Sequence, residues 1–232
     1  MTRRRWIADE VSGSRALLLG EHAGHLARVL RAQIGQEFDI STGKGVRRGR
    51  IISIGAERVE FELGDVVPAM AAAQVTLALS IFKFDRMEWA IEKCTELGVA
   101  RIVPVIARRT ETHLTAAAAK RVERWQRIAR QAAEQSRQLS PPEICQPVKL
   151  KDALTLPGGV RIVLSESEQE SMLKDVLHAQ DPVLAIGPEG GWTEAELELF
   201  GDANWIPASL GSNILRAETA AIAAMAIILA EL

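Results

Sequence analysis

The sequence predicts an α/β protein: a parallel sheet carried by the later part of the chain, preceded by a small β-rich, barrel-like unit. Three observations predict this. From Gln74 onward, short apolar runs alternate with helix-period segments, the pattern of a parallel sheet with crossover helices. Before residue 66, strand-like segments are separated by closely spaced glycines. Near the end, Ile186-Gly187-Pro188-Glu189-Gly190-Gly191-Trp192 and Leu210-Gly211-Ser212-Asn213-Ile214-Leu215-Arg216-Ala217-Glu218-Thr219-Ala220 each follow a short apolar run and lead into a helical pattern. Polar groups at strand ends and helix starts are where open α/β sheets bind ligands.

In the first unit, Gln36–Ile40, Arg50–Ile54 and Arg58–Leu63 read as strands, punctuated by Gly35, Gly43, Gly45, Gly49, Gly55 and Gly64. One helix is expected from Glu21 to Arg31, where Leu26, Val29 and Leu30 fall at helical spacing. Asp65–Ala73, with Pro68 and a run of small residues, reads as a linker.

In the second unit, Val75–Phe82 is a strand and Asp85-Arg86-Met87-Glu88 a capping-box pattern that starts a helix. Met87, Ile91, Cys94 and Leu97 form its apolar stripe, and Gly98 stops it. Ala100–Ala107 reads as a strand and Thr115–Gln138 as a long helix ended by Ser140-Pro141-Pro142. Strands follow at Val160–Leu164, Pro182–Ile186 and Asn204–Leu210, with helices at Thr193–Phe200 and Ala217–Leu232. The last helix is apolar on all sides, so burial in the core or at a subunit interface is expected.

Composition bounds the function. The chain has 232 residues, 47% apolar and 25% charged, as in an ordinary globular protein. Ala220–Ala230 is the longest apolar run, too short for a bilayer, and Asp9 and Glu10 interrupt any leader-like pattern after Arg3-Arg4-Arg5. Cys94 and Cys145 show no metal-ligand spacing, which points to reduced cytoplasmic thiols. The net charge of −2 conceals an asymmetry: residues 1–139 carry 23 Lys/Arg against 16 Asp/Glu, and residues 140–232 carry 5 against 14. The first part could therefore meet a polyanion, although two solvated faces of opposite sign explain the charge split equally well.

The glycine segment lacks both the GxGxxG order and a GK[ST] ending, which leaves a tight turn with Thr193 as N-cap or a loop facing an adenosine-like ligand. Arg216 and Glu218 stand where a sheet feeds an apolar helix, either as ligand-facing groups or as an internal bridge. Lys44-Gly45-Val46-Arg47-Arg48-Gly49-Arg50 reads as a basic loop suited to phosphate contact. The cations Lys120, Arg121, Arg124, Arg127, Arg130 and Arg137 of the long helix read first as a solvated face with i,i+4 pairs. His22 and His25 lack a third partner at metal-ligand spacing, so no metal is expected.

With these residues in view, the chain resembles the RsmE family, which methylates N3 of a uridine in small-subunit (16S) ribosomal RNA and belongs to the SPOUT class of S-adenosylmethionine-dependent methyltransferases. The resemblance is carried by His25-Leu26-Ala27-Arg28-Val29-Leu30-Arg31, by Lys83 with Asp85-Arg86-Met87-Glu88, by Lys93 and Glu96-Leu97-Gly98-Val99, by Trp125 through Glu134-Gln135-Ser136, and by the two glycine-bearing segments. It implies a PUA-like RNA-binding domain over 1–68 and, over 69–232, an α/β methyltransferase domain tied as a trefoil knot. It further implies S-adenosyl-L-methionine as cofactor, a cytoplasmic homodimer, and 16S rRNA or the small ribosomal subunit as partner, with no membrane and no metal.

By the same resemblance, Leu164, Ser165, Glu166, Gly187, Pro188, Glu189, Gly190, Gly191, Leu210, Gly211, Ile214, Leu215 and Thr219 line the cofactor pocket. Arg216 is expected to stabilise charge on the base, and Glu189 or Glu218 to accept its proton. Arg3, Arg4, Arg28, Arg31, Lys44, Arg47, Arg48, Arg50, Lys83 and Arg86 are expected to contact RNA. Two positions depart from the family: Asn213 stands where LGxRILR has its first Arg, and Gln138 where an Arg commonly follows EQS. Each replaces a fixed, always-charged donor. The remaining alternatives are a SPOUT methyltransferase acting on another RNA or on a ribose 2′-oxygen, and a non-catalytic RNA-binding factor of the same fold.

Overall fold

The computed structural model describes residues 5–69, 73–178 and 181–231. The chain divides into two compact units, one formed by Met1–Ala71 with Ala133–Ser140 and the other by Ala72–Ala132 with Pro141–Leu232.

The first unit is a six-stranded sheet of β1 (Arg5–Ile7), β2 (Glu10–Ser12), β3 (Arg15–Leu19), β4 (Glu37–Ser41), β5 (Val46–Ile54) and β6 (Arg58–Val67), in the order β1-β4-β5-β6-β3-β2. All neighbours are antiparallel except β1 and β4. Its edges are β1 and β2, yet only Ala8 and Asp9 join them. Six flat strands would hold their edges about 24 Å apart at about 4.8 Å per step. The three peptide steps from Ile7 to Glu10 reach about 11 Å at most. The sheet must therefore curl. Ala8 N–H donates to the Ser41 carbonyl at one edge and Asp9 N–H to that of Leu17 beside the other.

Inside the curl lie Trp6, Leu18, Leu26, Ile40, Ile51, Val59 and Phe61. Gly49 faces this core with no room for a side chain: a Cβ there would clash with Ile40 and stand 3.3 Å from Phe61. The expected helix is shorter than its periodicity suggested. α1 (Gly20–Gly24) runs into a π-turn at His25–Val29, closed by Leu30 N–H to the His25 carbonyl, and Arg31 leaves at φ +50°. β6 continues to Val67, so the first part of the expected linker is strand. Pairing of Val66 and Val67 with Arg47 and Val46 extends it, although Val66 itself is exposed.

β1, β2 and β3 escaped the sequence reading because their apolar runs are too short to show a period. Residues 133–140 also belong to this unit: Arg5 donates to the Arg137 carbonyl and Ser41 to that of Leu139. His22 lies 3.8 Å from Glu134, and His25 packs tilted on Trp6.

The second unit is a parallel sheet of β7 (Thr76–Ser80), β8 (Arg101–Ile106), β9 (Glu143–Ile144), β10 (Val148–Lys149), β11 (Val160–Leu164), β12 (Pro182–Ile186) and β13 (Ile206–Ala208). Its order is β10-β8-β7-β12-β11-β13, with β9 beside the first half of β8. Alternation divides the strands between two cores. Leu77, Leu79, Ile162, Leu184 and Ile186 face one layer; Ala78, Val163, Val183 and Ala185 face the other.

Helix α2 (Phe84–Glu96) buries Met87, Ala90, Ile91 and Cys94 in the first layer, and Gly98 at φ +86° turns the chain after it. Its N-cap is Lys83 without a side-chain cap, so the expected capping box at Asp85 is absent and Asp85 lies inside the first turn. The expected long helix is broken into α3 (Thr112–Ala118), a 3₁₀ turn at Ala119–Arg121 and α4 (Val122–Ser136). Arg124 pairs across to Glu88 through two bonds of 2.6 and 2.8 Å, and Arg121 stacks on Phe84, so these cations meet α2 instead of forming i,i+4 pairs.

The second layer holds α5 (Leu150–Ala153) and α6 (Glu194–Asp202), with Trp192, Phe200 and Trp205 packed edge to face. α7 (Ala217–Glu231) buries Ala221, Ala224, Met225 and Ile228. It is not buried all round within one chain: Ile222, Ala223, Ile227 and Leu229 remain partly open and Ala226 is exposed.

Two outcomes test this packing. Gly49→Ala is expected to destabilise the protein by about 1–3 kcal/mol through overpacking, measured as a lowered denaturant midpoint. Cys94 is fully buried, and desolvation pushes its thiol up to about 12. Native protein should therefore label with a thiol reagent at Cys145 well before Cys94, as peptide mapping would show.

Candidate active site

The loops after β11, β12 and β13 leave the sheet from one edge, because the three strands are parallel and adjacent in register. Between them is a cavity of about 570 Å³. Of the residues expected to form the pocket, Leu164, Ser165, Glu166, Gly187, Pro188, Glu189, Gly191, Leu210, Gly211, Ile214 and Leu215 line it. Gly190 and Thr219 do not. Gly190 is covered by the Arg109 side chain, whose Cδ is 3.2 Å from where a Cβ would stand, and Thr219 is exposed one helical position from the lining residue Ala220.

The glycine loop is held by what its glycines allow. A Cβ on Gly187 would stand 3.3 Å from the Trp192 ring, and the Trp192 indole N–H donates to the Leu164 carbonyl at 3.1 Å. The loop after β12 is thus pinned to the end of β11. Gly191 adopts φ +69°, and its N–H closes the turn on the Pro188 carbonyl. Arg109 reaches over from the turn after β8 and donates to the Gly190 carbonyl and, at 3.3 Å, to that of Trp192.

Thr193 caps α6 through a full capping box with Glu196. The buried Glu196 carboxylate accepts from Thr193 N–H at 2.9 Å, from the Thr193 hydroxyl at 2.9 Å and from Arg108 N–H at 2.7 Å. One side chain therefore fastens both the helix start and the turn that carries Arg109. Thr193 was legible as an N-cap, and Thr-x-x-Glu is the matching signature for Glu196. Nothing in the sequence signals Arg109.

On the third side, Ser209 N–H donates to the Ser171 carbonyl and Leu173 N–H to that of Ser209, so the segment after β11 runs beside the end of β13. Gly211, at φ +122°, begins the exposed stretch 211–216. Arg216 lies there, exposed, next to the lining residue Leu215. Glu218 is buried in the first turn of α7 and does not line the cavity. Its partner is Arg86 at 3.2 Å, not Arg216, and the same Arg86 nitrogen is 3.8 Å from Glu189.

Arg86, expected to contact RNA, is thus engaged by two carboxylates. The basic segment at 44–50 is strand from Val46 onward instead of a loop. Arg47, Arg48 and Arg50 belong to β5, and each has an internal partner. Arg47 donates to the Gly64 and Leu63 carbonyls; Arg48 is 3.7 Å from Asp39 and Arg50 3.5 Å from Glu37. These arginines thus have cross-strand neighbours, while Arg50 stays exposed. Lys44, Arg28, Arg31 and Lys83 are exposed. Arg3 and Arg4 lie outside the described residues. Among the described residues no group of His, Cys, Asp and Glu is arranged to hold a metal ion.

A curled sheet unit followed by an α/β unit with a cavity at its strand ends is the architecture of an RNA methyltransferase. The family model for an RNA methyltransferase domain matches residues 69–229, and that for an RNA methyltransferase PUA domain matches residues 18–64. A ribosomal RNA small subunit methyltransferase E from Rickettsia conorii is 33% identical over 212 residues, covering 88% of this chain and 85% of the relative. The crystal structure of a ribosomal RNA small subunit methyltransferase E from Neisseria gonorrhoeae, bound to S-adenosyl methionine, is 32% identical, with a TM-score of 0.86 over 97% of this chain and 95% of that one. A Legionella pneumophila protein solved in complex with bound SAM superposes with a TM-score of 0.88 at 28% identity over 99% and 98% of the two chains. The chain belongs to the ribosomal RNA small subunit methyltransferase E family.

Glu196→Ala removes the acceptor of three donors and leaves the Arg108 and Thr193 amides short of partners. A loss of about 2 kcal/mol is expected from the missing cap and hydrogen bonds, read as a lowered Tm.

Proposed function

We propose that this protein transfers the methyl group of S-adenosylmethionine to N3 of a uridine in small-subunit ribosomal RNA. The observation that carries the reading is the cavity at the ends of β11, β12 and β13, in a chain whose relatives of this family have been solved with that ligand bound. Its volume falls within the range of small-molecule sites, about 300–1,000 Å³. The charge of its lining suits a cation: among the described residues Glu166, Glu189 and Glu194 line it, against Arg109. Leu164, Leu210, Ile214 and Leu215 supply apolar surface for a flat base, and the glycine loop brings backbone close without side-chain obstruction.

S-adenosylmethionine supplies an activated methyl group on a sulfonium, whose departure leaves a neutral thioether. The chain's task is to orient the acceptor in line with that methyl and to manage the N3 proton. Arg216, exposed beside Leu215, is our candidate for stabilising negative charge on the base. Glu189 and Glu218 are the candidate proton acceptors. N3 lies on the Watson–Crick edge, so the target uridine must be unpaired or extruded.

The wider reading follows from the same family membership. Residues 1–68 act as the RNA-binding domain and 69–232 as the methyltransferase domain. The open face of α7 around Ile222, Ala223 and Ile227 supports a homodimer. The SPOUT trefoil knot is part of this reading too. Among the described residues no helix is long and apolar enough to cross a membrane, and we place the protein in the cytoplasm.

Calorimetry is expected to show saturable S-adenosylmethionine binding; no binding overturns the cofactor assignment. Mass analysis of ribosomal RNA from a deletion strain is expected to show one missing base methyl on a small-subunit uridine. A missing ribose methyl would point to 2′-oxygen transfer, and an unchanged spectrum to a non-catalytic RNA-binding role.

A further inference from the structure

We propose that Glu189 is the group that takes the uracil N3 proton, and that Arg86, anchored by Glu218, is a positioning residue that holds Glu189 at the cavity wall. The assignment rests on the methyl-transfer reading above and separates two carboxylates that sequence left equivalent.

Three elements meet at one guanidinium. Arg86 comes from the first turn of α2, Glu189 from the loop after β12, and Glu218 from the first turn of α7. The contacts are unequal. Glu218 accepts a hydrogen bond from Arg86 at 3.2 Å, whereas Glu189 stands at 3.8 Å, an ion pair without a hydrogen bond. Two carboxylates share one cation, so the cluster carries one negative charge in excess. That charge resides where a proton or a cationic ligand can meet it.

Exposure decides which carboxylate that is. The Glu218 side chain is 5% exposed and lies off the cavity; the Glu189 side chain is 35% exposed and lines it. An acceptor must touch the base and then release its proton to water. Glu218 can do neither. Its second oxygen, Oε2, is buried and has no hydrogen-bond partner among the described residues. Among the described residues the carboxylate's one hydrogen bond comes from Arg86, which ties Glu218 to Arg86 as a structural pair. Glu166 and Glu194 also line the cavity, but among the described residues neither has a cation within ion-pair distance to fix its position.

The step then balances. N3 gives its proton to a Glu189 oxygen and forms the bond to the methyl carbon; the electron pair of the broken sulfur–carbon bond stays on sulfur. Glu189, open to solvent, passes the proton to water.

The test measures single-turnover methyl transfer to small-subunit RNA at saturating S-adenosylmethionine, with the cofactor's Kd and the Tm of each variant determined in parallel. Glu189→Ala is expected to lower the rate at saturating cofactor about 10²–10⁴-fold, and added formate is expected to restore part of it. Glu218→Gln and Arg86→Gln, which loosen the anchor, are expected to lose about 10–10²-fold with no formate rescue, and Arg86→Lys to retain more activity than Arg86→Gln. Two results overturn the proposal: a Glu189→Ala rate that formate does not raise, or formate rescue of Glu218→Ala. Absence of methyl transfer by the unaltered protein would instead overturn the reading of its activity.

Discussion

The second unit depends on one geometric constraint: β11, β12 and β13 run parallel and end at one edge of the sheet. Arg161 of β11 is the one charged side chain along these strands; the other polar groups collect where the strands stop. Three loops then leave from neighbouring points and must share one space. Each solves the crowding differently. The loop after β12 uses glycines and tucks Trp192 beneath itself; the segment after β11 pairs with Ser209; the stretch after β13 stays exposed until α7 begins. The cavity is what these solutions leave.

Its rim is fixed by a few polar contacts placed outside the cavity. Glu196 joins the start of α6 to the turn after β8, so that Arg109 can lie across the glycine loop. Arg86 joins the starts of α2 and α7 to the same loop from another side. Neither arrangement is local in sequence. Glu196 and Arg108 are 88 residues apart, and Arg86 and Glu218 are 132 apart. The loop is held by these distant partners, without disulfides or a metal cluster among the described residues.

Much of this was legible in the sequence where the period was long or the chemistry local. β11 and β12 are found at the limits their apolar runs define, and the strand-end glycines mark the cavity. Legibility failed where pairing partners decide the outcome. The basic stretch at Lys44–Arg50 reads as a loop, whereas Val46–Arg50 is strand with Asp39 and Glu37 as cross-strand neighbours. Asp85 carries the signature of a helix cap but lies too late for one, because Phe84 already begins the helix. Arg109 carries no signal at all, since its role comes from carbonyls of a loop that only the fold brings near.

The strand order has a consequence for how the protein is made. β12 is the single strand that joins β7 and β8 to the pair β11 and β13, yet it is synthesised after β11. β11 therefore has no permanent neighbour when it emerges from the ribosome. It must wait, unpaired, for residues 182–186 to be translated on one side and 206–208 on the other. Sheet completion is delayed until β13 has been translated, and long-range pairing of this kind is slow. A site lined by the loops after all three strands cannot be complete before residues 206–208 and the stretch that follows them have been made.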